Sequence, residues 1–262
     1  MSVHWQRSAL PAGEGRPAIR IDCADGMPVP LPTVRDVDHA RWVSFNRPEK
    51  LNALTRDDIR VATQAVAELP DAVRCVIFTG AGSRAFSAGV HVDIFHDLSA
   101  AEARAFISDL GAMIAAARRA PVPTLCAIHG YCLGGAMELA MACDLRVAAT
   151  DAVFGMPEIK VGIPSVLDAA LLPQHLGLAK AKEVLLTGDL YGVAEFEPLG
   201  FVNQVVAPDD LHKATADLAR RVSGHSPVAL AAQKRLFETW QNVGLQASID
   251  SSIGEFAEVF AD

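Results

Sequence analysis

The run Pro121-Val122-Pro123-Thr124-Leu125-Cys126-Ala127-Ile128 is followed by Gly130-Tyr131-Cys132-Leu133-Gly134-Gly135 and Ala136-Met137-Glu138-Leu139-Ala140-Met141-Ala142. Leu145-Arg146-Val147-Ala148-Ala149 comes next. The first run is short, apolar and opened by prolines, so it reads as a buried strand. Gly134–Ala142 reads as a helix opening on two glycines, and Leu145–Ala149 as a second strand. Strand, helix, strand in this order predicts an α/β fold.

The pattern extends outward on both sides. Ala40–Phe45 and Val73–Phe78 read as strands, the second closed by Thr79-Gly80-Ala81-Gly82. Leu54–Leu69 has helical spacing with Thr55 as N-cap, and Ala100–Ala117 follows Ser99 in the same way. Residues 1–35, rich in Pro and Gly, read as strand fragments and turns. From about Asp209 the pattern is helical: 209–222, 226–242 and 244–260. These segments carry Leu236, Phe237, Trp240, Ile253 and Phe256, so one face must be buried, against the body or a second subunit.

The chain has 262 residues, 51% of them hydrophobic, which is enough for one large core. Its formal charge of -8, with no basic run, argues against nucleic acid. Five cysteines without a C-x-x-C pair read as small buried hydrophobes in a reducing compartment. There is no signal-peptide pattern at the start and no apolar run of membrane-spanning length. A soluble, cytoplasmic protein without membrane partners is the expectation.

No P-loop, Rossmann, nucleophile-elbow or zincin signature occurs. Two glycine-bearing turns follow strands: Phe86-Ser87-Ala88-Gly89-Val90 and Gly130–Gly135. Their N–H groups could converge on one oxygen, or they could be ordinary turns. Glu138 lies three residues after Gly135, about one helical turn along, within an apolar stretch. Glu158 lies in Phe154-Gly155-Met156-Pro157-Glu158-Ile159, again among apolar residues. Burial would raise the pKa of either acid into the range useful for proton transfer at neutral pH. Two such acids beside an oxyanion hole suit chemistry next to a thioester carbonyl.

Four segments in order carry a family likeness. They are Asn46-Arg47-Pro48-Glu49-Lys50-Leu51-Asn52-Ala53-Leu54, Ala85–Val90, Gly130–Ala140 and Phe154–Glu158, continued by Leu186-Thr187-Gly188 and Gly200-Phe201-Val202-Asn203. Over roughly residues 40–260 the chain resembles the crotonase (enoyl-CoA hydratase/isomerase) superfamily. The resemblance implies a spiral of ββα units in residues 1–200 and a helical trimerisation region in 201–262. It implies that Val90 and Gly135 supply the oxyanion-hole N–H groups and that Glu138 and Glu158 are the catalytic pair. Hydration of an enoyl-CoA, or the reverse dehydration, is the implied reaction. Coenzyme A enters as part of the substrate, with no other cofactor and no metal. Lys50, Leu51, Ala53, Ala85, Phe86 and Ala88 match the CoA-lining segments. His91, Gly134, Pro157 and Ser165 complete the expected substrate contacts. Self-association as a trimer or dimer of trimers is also implied. The alternatives are another reaction on the same scaffold (isomerisation, thioester hydrolysis, C–C cleavage) or a non-catalytic RNA-binding or scaffold protein.

Three departures qualify the likeness. His91, not Asp, follows Val90. The usual Gly-x-x-Pro-Gly-x-Gly-Gly reads Gly162-Ile163-Pro164-Ser165-Val166-Leu167-Asp168, so the acyl pocket should be reshaped. The basic segment that ends many relatives is absent, which makes Lys234 and Arg235 candidates for a CoA phosphate. His91, Asp93, His96 and Asp97 form a cluster that reads first as a solvated helix start and only second as a metal site. Asp168 reads as a surface or cap residue more than a substrate contact, Tyr131 and Trp240 as packing, and Asp144 with Arg146 as a polar pair.

Overall fold

The computed structural model describes residues 30–95 and 97–260. Most of the expected strands at residues 1–35 therefore lie outside the described residues; the rest is strand β1 (Thr33–Val37). It pairs antiparallel with β2 (Ala40–Phe45). Helix α1 (Arg56–Ala67) follows, capped by Thr55 in a reciprocal capping box with Asp58. Strand β3 (Cys75–Gly80), strand β4 (Ala85–Ser87) and helix α2 (Ala100–Arg119) form the next unit. Ser99 caps α2 with Glu102 in the same way.

Strands β5 (Thr124–Ile128) and β6 (Tyr131–Leu133) with helix α3 (Gly135–Ala142) repeat the order. Strands β7 (Leu145–Ala149) and β8 (Val153–Gly155) repeat it again, leading into helices α4 (Leu172–Leu176) and α5 (Leu178–Thr187). After strand β9 (Leu190–Gly192), helix α6 (Val193–Phe196) and strand β10 (Gln204–Val206), helices α7 (Leu211–Ser223), α8 (Pro227–Asn242) and α9 (Leu245–Glu258) finish the described chain.

The first strand of each unit joins a six-stranded sheet, β1-β2-β3-β5-β7-β10. In the β3-β4, β5-β6 and β7-β8 units the second strand joins a four-stranded sheet, β4-β6-β8-β9, whereas β1 and β2 both lie in the larger sheet. The chain thus spirals between two sheets, the expected ββα architecture. Strands β2, β3, β5, β7 and β10 run parallel. Every residue of β3 and of β5 is buried, as a parallel sheet covered on both faces requires. Val43, Phe45, Val76 and Phe78 pack with Phe106, Leu110 and Met113 of α2, while Ile77, Leu125 and Val147 meet Leu211 and Ala219 of α7 on the other face.

The sequence reading needs several corrections here. Thr79-Gly80, expected in a turn, end β3. The turn residues Ala85–Ser87 and Tyr131–Leu133 are strands β4 and β6. Their three-residue length shows no periodicity; their partners are distant strands, not neighbours in sequence. Asp144 and Arg146 are not hydrogen-bonded to each other. Asp144 takes Lys234 at 2.6 Å, and Arg146 donates to the carbonyls of Ala140, Cys143 and Phe201. Lys234 is buried by that contact, and Arg235 is held by Glu255, so both proposed phosphate contacts are engaged within the chain. Cys75, Cys126, Cys132 and Cys143 are buried free thiols; Cys23 lies outside the described residues.

Candidate active site

The site is positioned by the turn Asn46–Leu54. Leu51 and Asn52 both adopt left-handed backbone, φ 53°. The Asn52 side chain accepts from the Arg47 N–H at 2.8 Å and donates to the carbonyls of Ala81 and Ala85. Arg47 ties the turn to α1 through Asp58 at 3.1 Å. The Ser87 hydroxyl donates to the Asn52 carbonyl at 2.7 Å. The turn is thereby fixed to β4 and to the segment after it.

Leu54 then forms a parallel bridge with Val90. Its N–H donates to the Gly89 carbonyl and its carbonyl accepts from the His91 N–H. In such a bridge the flanking residues make the bonds, so the N–H of Val90 itself faces the opposite side. On that side lies the start of α3. A Cβ at Gly89 (φ +83°) would stand 2.6 Å from the Leu133 carbonyl and 3.3 Å from the Gly135 nitrogen. Gly135 is the first residue of α3, where an N–H has no intrahelical partner. The Gly89–Val90 segment thus packs against the N-terminus of α3, where the dipole favours negative charge.

One turn into α3 stands Glu138, buried, with its Oε2 lacking a hydrogen-bond partner among the described residues. Burial pushes the Glu138 pKa up to about 9, with further raising by the charges of Glu158 and Asp168. Glu158 sits in the helical turn Pro157–Val161 after β8. Burial also raises its pKa, opposed by its own N–H and by the Ser165 hydroxyl, which donates at 2.9 Å. Its Oε1 would lie 2.3 Å from a Cβ at Gly134, whose φ is +52°. Only glycine suits that position, on both counts.

Both acids line one cavity of about 460 Å³. Ala88, Val90, Gly134, Gly135, Pro157 and Ser165, all expected from the sequence, line it too. Lys50, Leu51, Ala53, Ala85, Phe86 and His91 are not among its lining residues. Phe86 is a correction in kind: its ring is fully buried and packs edge-on against Phe45. His91 is buried, 3.6 Å from Asp93, with its pKa lowered by burial against the opposing Asp93 charge. Its neighbour in the proposed cluster, His96, lies outside the described residues. Among the described residues no group of three or more His, Cys, Asp or Glu is placed to hold a metal.

The sequence reading missed the apolar wall. Phe95, Ile107 and Leu110 supply one side; Val161, Ile163 and Val166 supply the other. The three-residue spacing of Ile107 and Leu110 on α2 marks them as one helix face, but not which cavity that face meets. Asp168 was also misplaced: it is buried, and its carboxylate pairs with Arg118.

Known proteins are similar to this chain in sequence and fold. The sequence profile described as Enoyl-CoA hydratase/isomerase matches residues 40–262. The crotonyl-CoA hydratase of Syntrophomonas wolfei is 36% identical over 220 residues, 82% of this chain and 83% of that protein. The (E)-benzylidenesuccinyl-CoA hydratase of Thauera aromatica is 31% identical, covering 85% and 87%. Among solved structures, the enoyl-CoA hydratase of Mycobacterium smegmatis superposes with a TM-score of 0.84 at 25% identity, covering 89% of this chain and 92% of that one.

Proposed function

This chain belongs to the enoyl-CoA hydratase/isomerase family, and from that premise we propose that it is an enoyl-CoA hydratase in which Glu138 and Glu158 divide the proton transfers. The observation that supports the reading is the meeting, in one cavity, of the buried Glu138 and the half-buried Glu158 with Val90 and Gly135.

The thioester carbonyl of the enoyl-CoA accepts from the Val90 and Gly135 N–H groups. Adding hydroxide from water to Cβ shifts the double-bond electrons toward that oxygen, forming an enolate that the two N–H groups stabilise. One carboxylate takes the proton that the water loses. The other, protonated, gives its proton to Cα and the carbonyl re-forms. The pair starts with one proton and ends with one, so it is a coupled acid and base. Burial and mutual repulsion keep that single proton in the free enzyme, on Glu138, where the pKa is raised to about 9.

The apolar wall of Phe95, Ile107, Leu110 and Val166 suits a hydrocarbon acyl group. The CoA arm runs past Lys50 and Ala88, the partly exposed residues of its two expected segments, whose Leu51, Ala53, Ala85 and Phe86 are buried. The Ala88 N–H donates to the Leu51 carbonyl, so these two segments are joined side by side. Self-association as a trimer or dimer of trimers uses α8 and α9. They expose Trp240, Leu245, Ile249, Ile253, Phe256 and Phe260, an apolar surface that water disfavours.

The test is hydration of crotonyl-, branched and aromatic enoyl-CoAs by the wild type and by Glu138→Gln and Glu158→Gln. Each substitution should lower kcat by about a hundredfold or more. Full activity in either single variant would exclude the two-glutamate mechanism.

A further inference from the structure

We propose that the Ser165 hydroxyl is a positioning group for Glu158: it holds Oε2, so that Oε1, which lies over Gly134, is the oxygen left to exchange a proton with the substrate's water. For its effect on turnover this rests on the two-glutamate reading; the hydrogen bond itself is tested without turnover.

One tight loop brings the two residues together. The helical turn Pro157–Val161 ends on Gly162, in left-handed backbone at φ 82°. There the chain reverses, and the Ile163 N–H donates to the Glu158 carbonyl at 3.2 Å. Two residues further on, the Ser165 hydroxyl donates to Glu158 Oε2 at 2.9 Å. The loop is also held from outside. Leu167, at φ +51°, fills a notch at Gly111 on α2, where a Cβ would stand 3.0 Å from Leu167 Cδ2. Arg118 of the same helix pairs with the Asp168 carboxylate.

The two oxygens of Glu158 are thereby made unlike. A Cβ at Gly134 would stand 2.3 Å from Oε1 and 3.9 Å from Oε2. Gly134, Gly135, Glu138 and Ser165 line the same cavity, so Oε1 is directed at the start of α3. The last torsion of a glutamate is broad, and an unheld carboxylate spreads its oxygens over many directions. A hydroxyl fixed on one oxygen removes that freedom. Proton exchange with a water needs the other oxygen within hydrogen-bond reach of it, so a carboxylate held in one plane is prepared for the step.

The charged groups on the elements around Glu158 are mostly engaged with each other. Glu138 faces it from α3. On its own turn Lys160 pairs with Asp189 at 2.9 Å. Helix α5, packed against that turn, carries Lys180, Lys182 and Glu183, with Lys180 and Glu183 paired at 2.9 Å. Asp168, at the end of the loop, is paired with Arg118. Helix α2 meets the cavity through the apolar Ile107 and Leu110. Burial raises the Glu158 pKa, and its own N–H and the Ser165 hydroxyl oppose that rise, because a donor favours the ionised form. The bond that aims the carboxylate therefore also favours the charged state in which it takes a proton.

The test uses the full chain and crotonyl-CoA, with Ser165→Ala, Ser165→Thr, Glu158→Gln and the Ser165→Ala/Glu158→Gln double variant. Ser165→Ala should lower kcat about tenfold with KM changed less than about threefold, as expected when a group needed in the transition state is no longer aimed. It should also move the acidic limb of the kcat/KM profile to higher pH by about half a unit to one unit, because the ionised carboxylate has lost a donor. Ser165→Thr, which keeps the hydroxyl, should restore most of kcat and return the limb towards its wild-type position. The bond itself is read by Tm between pH 5 and pH 8. A donor to the carboxylate stabilises the fold where Glu158 is ionised, so Ser165→Ala should lose more stability at pH 8 than at pH 5. Beside Glu158→Gln, which cannot ionise, the loss should be the same at every pH. A Ser165→Ala variant with wild-type kcat and acidic limb, or a Tm loss in the wild-type background that does not vary with pH, overturns the proposal. The pH-dependent Tm loss found together with a fully active Glu158→Gln would remove the two-glutamate reading and leave the Ser165–Glu158 bond standing.

Discussion

Glu138 is an acid that the fold holds where its charge is unwelcome. Its pKa near 9 means that the native state keeps a proton which the unfolded chain, with an ordinary carboxyl, sheds above about pH 4.5. The stability tied to that proton is present at low pH and is lost as the pH rises through about 9. Glu138→Gln removes the titration. We predict that it melts above the wild type at pH 8 by about 1–3 kcal/mol, with the gap closing towards pH 5. Thermal unfolding at pH 5, 6.5 and 8 measures this, and a variant less stable than wild type at pH 8 contradicts it. Gly134 is the second residue where chemistry and backbone meet. Gly134→Ala places a Cβ against the Glu158 carboxylate at φ +52° and should cost about 1–3 kcal/mol. Its kcat should fall with that of Glu158→Gln, which steady-state kinetics beside a melting curve will show.

The turn Asn46–Leu54 is the element that aims the site, although it carries no chemistry of its own. Asn52 holds the Arg47 N–H and two distant carbonyls, and Leu54 bridges Val90. Asn52→Ala leaves buried backbone groups without partners, so we predict a loss of about 2–4 kcal/mol. The Val90 N–H should move with the turn, and kcat should fall more than KM rises. Denaturant melts combined with kinetics check both parts; normal stability would show that these bonds are replaced by water. The strands β4 and β6 teach a related point. Three residues are too few to show a period, so each was read as part of a glycine turn, and only pairing with a distant strand makes it a strand.

On the scale of the molecule, the spiral brings residues from five separate segments to one cavity while the last two helices leave an apolar face outward. Helix α7 covers the large sheet, but α8 and α9 expose Phe256 and Ile253. If these helices are the association surface, an Ile253→Asp/Phe256→Asp variant should sediment at lower mass than the wild type at the same concentration. An unchanged sedimentation coefficient would place the interface elsewhere. Arg118 on α2 ties α8 to the Leu167–Leu171 turn, because Glu238 and Asp168 share its guanidinium.

Much of this was readable in one dimension. Apolar runs with caps at Thr55 and Ser99 specify the longer strands and helices, since their period and end signals are local. The order of the glycine turns and of Glu138 and Glu158 pointed to the family and to the paired acids. What the fold alone decided is proximity and burial. Lys234 and Arg235 looked like free cations until Asp144 and Glu255 met them. Phe86 looked like a ligand contact until its ring turned into the core. Asp168 looked like a surface cap until α2 brought Arg118 to it. A charge or a ring acquires its role from partners far away in the chain, and local spacing carries no record of which distant groups the packing will supply.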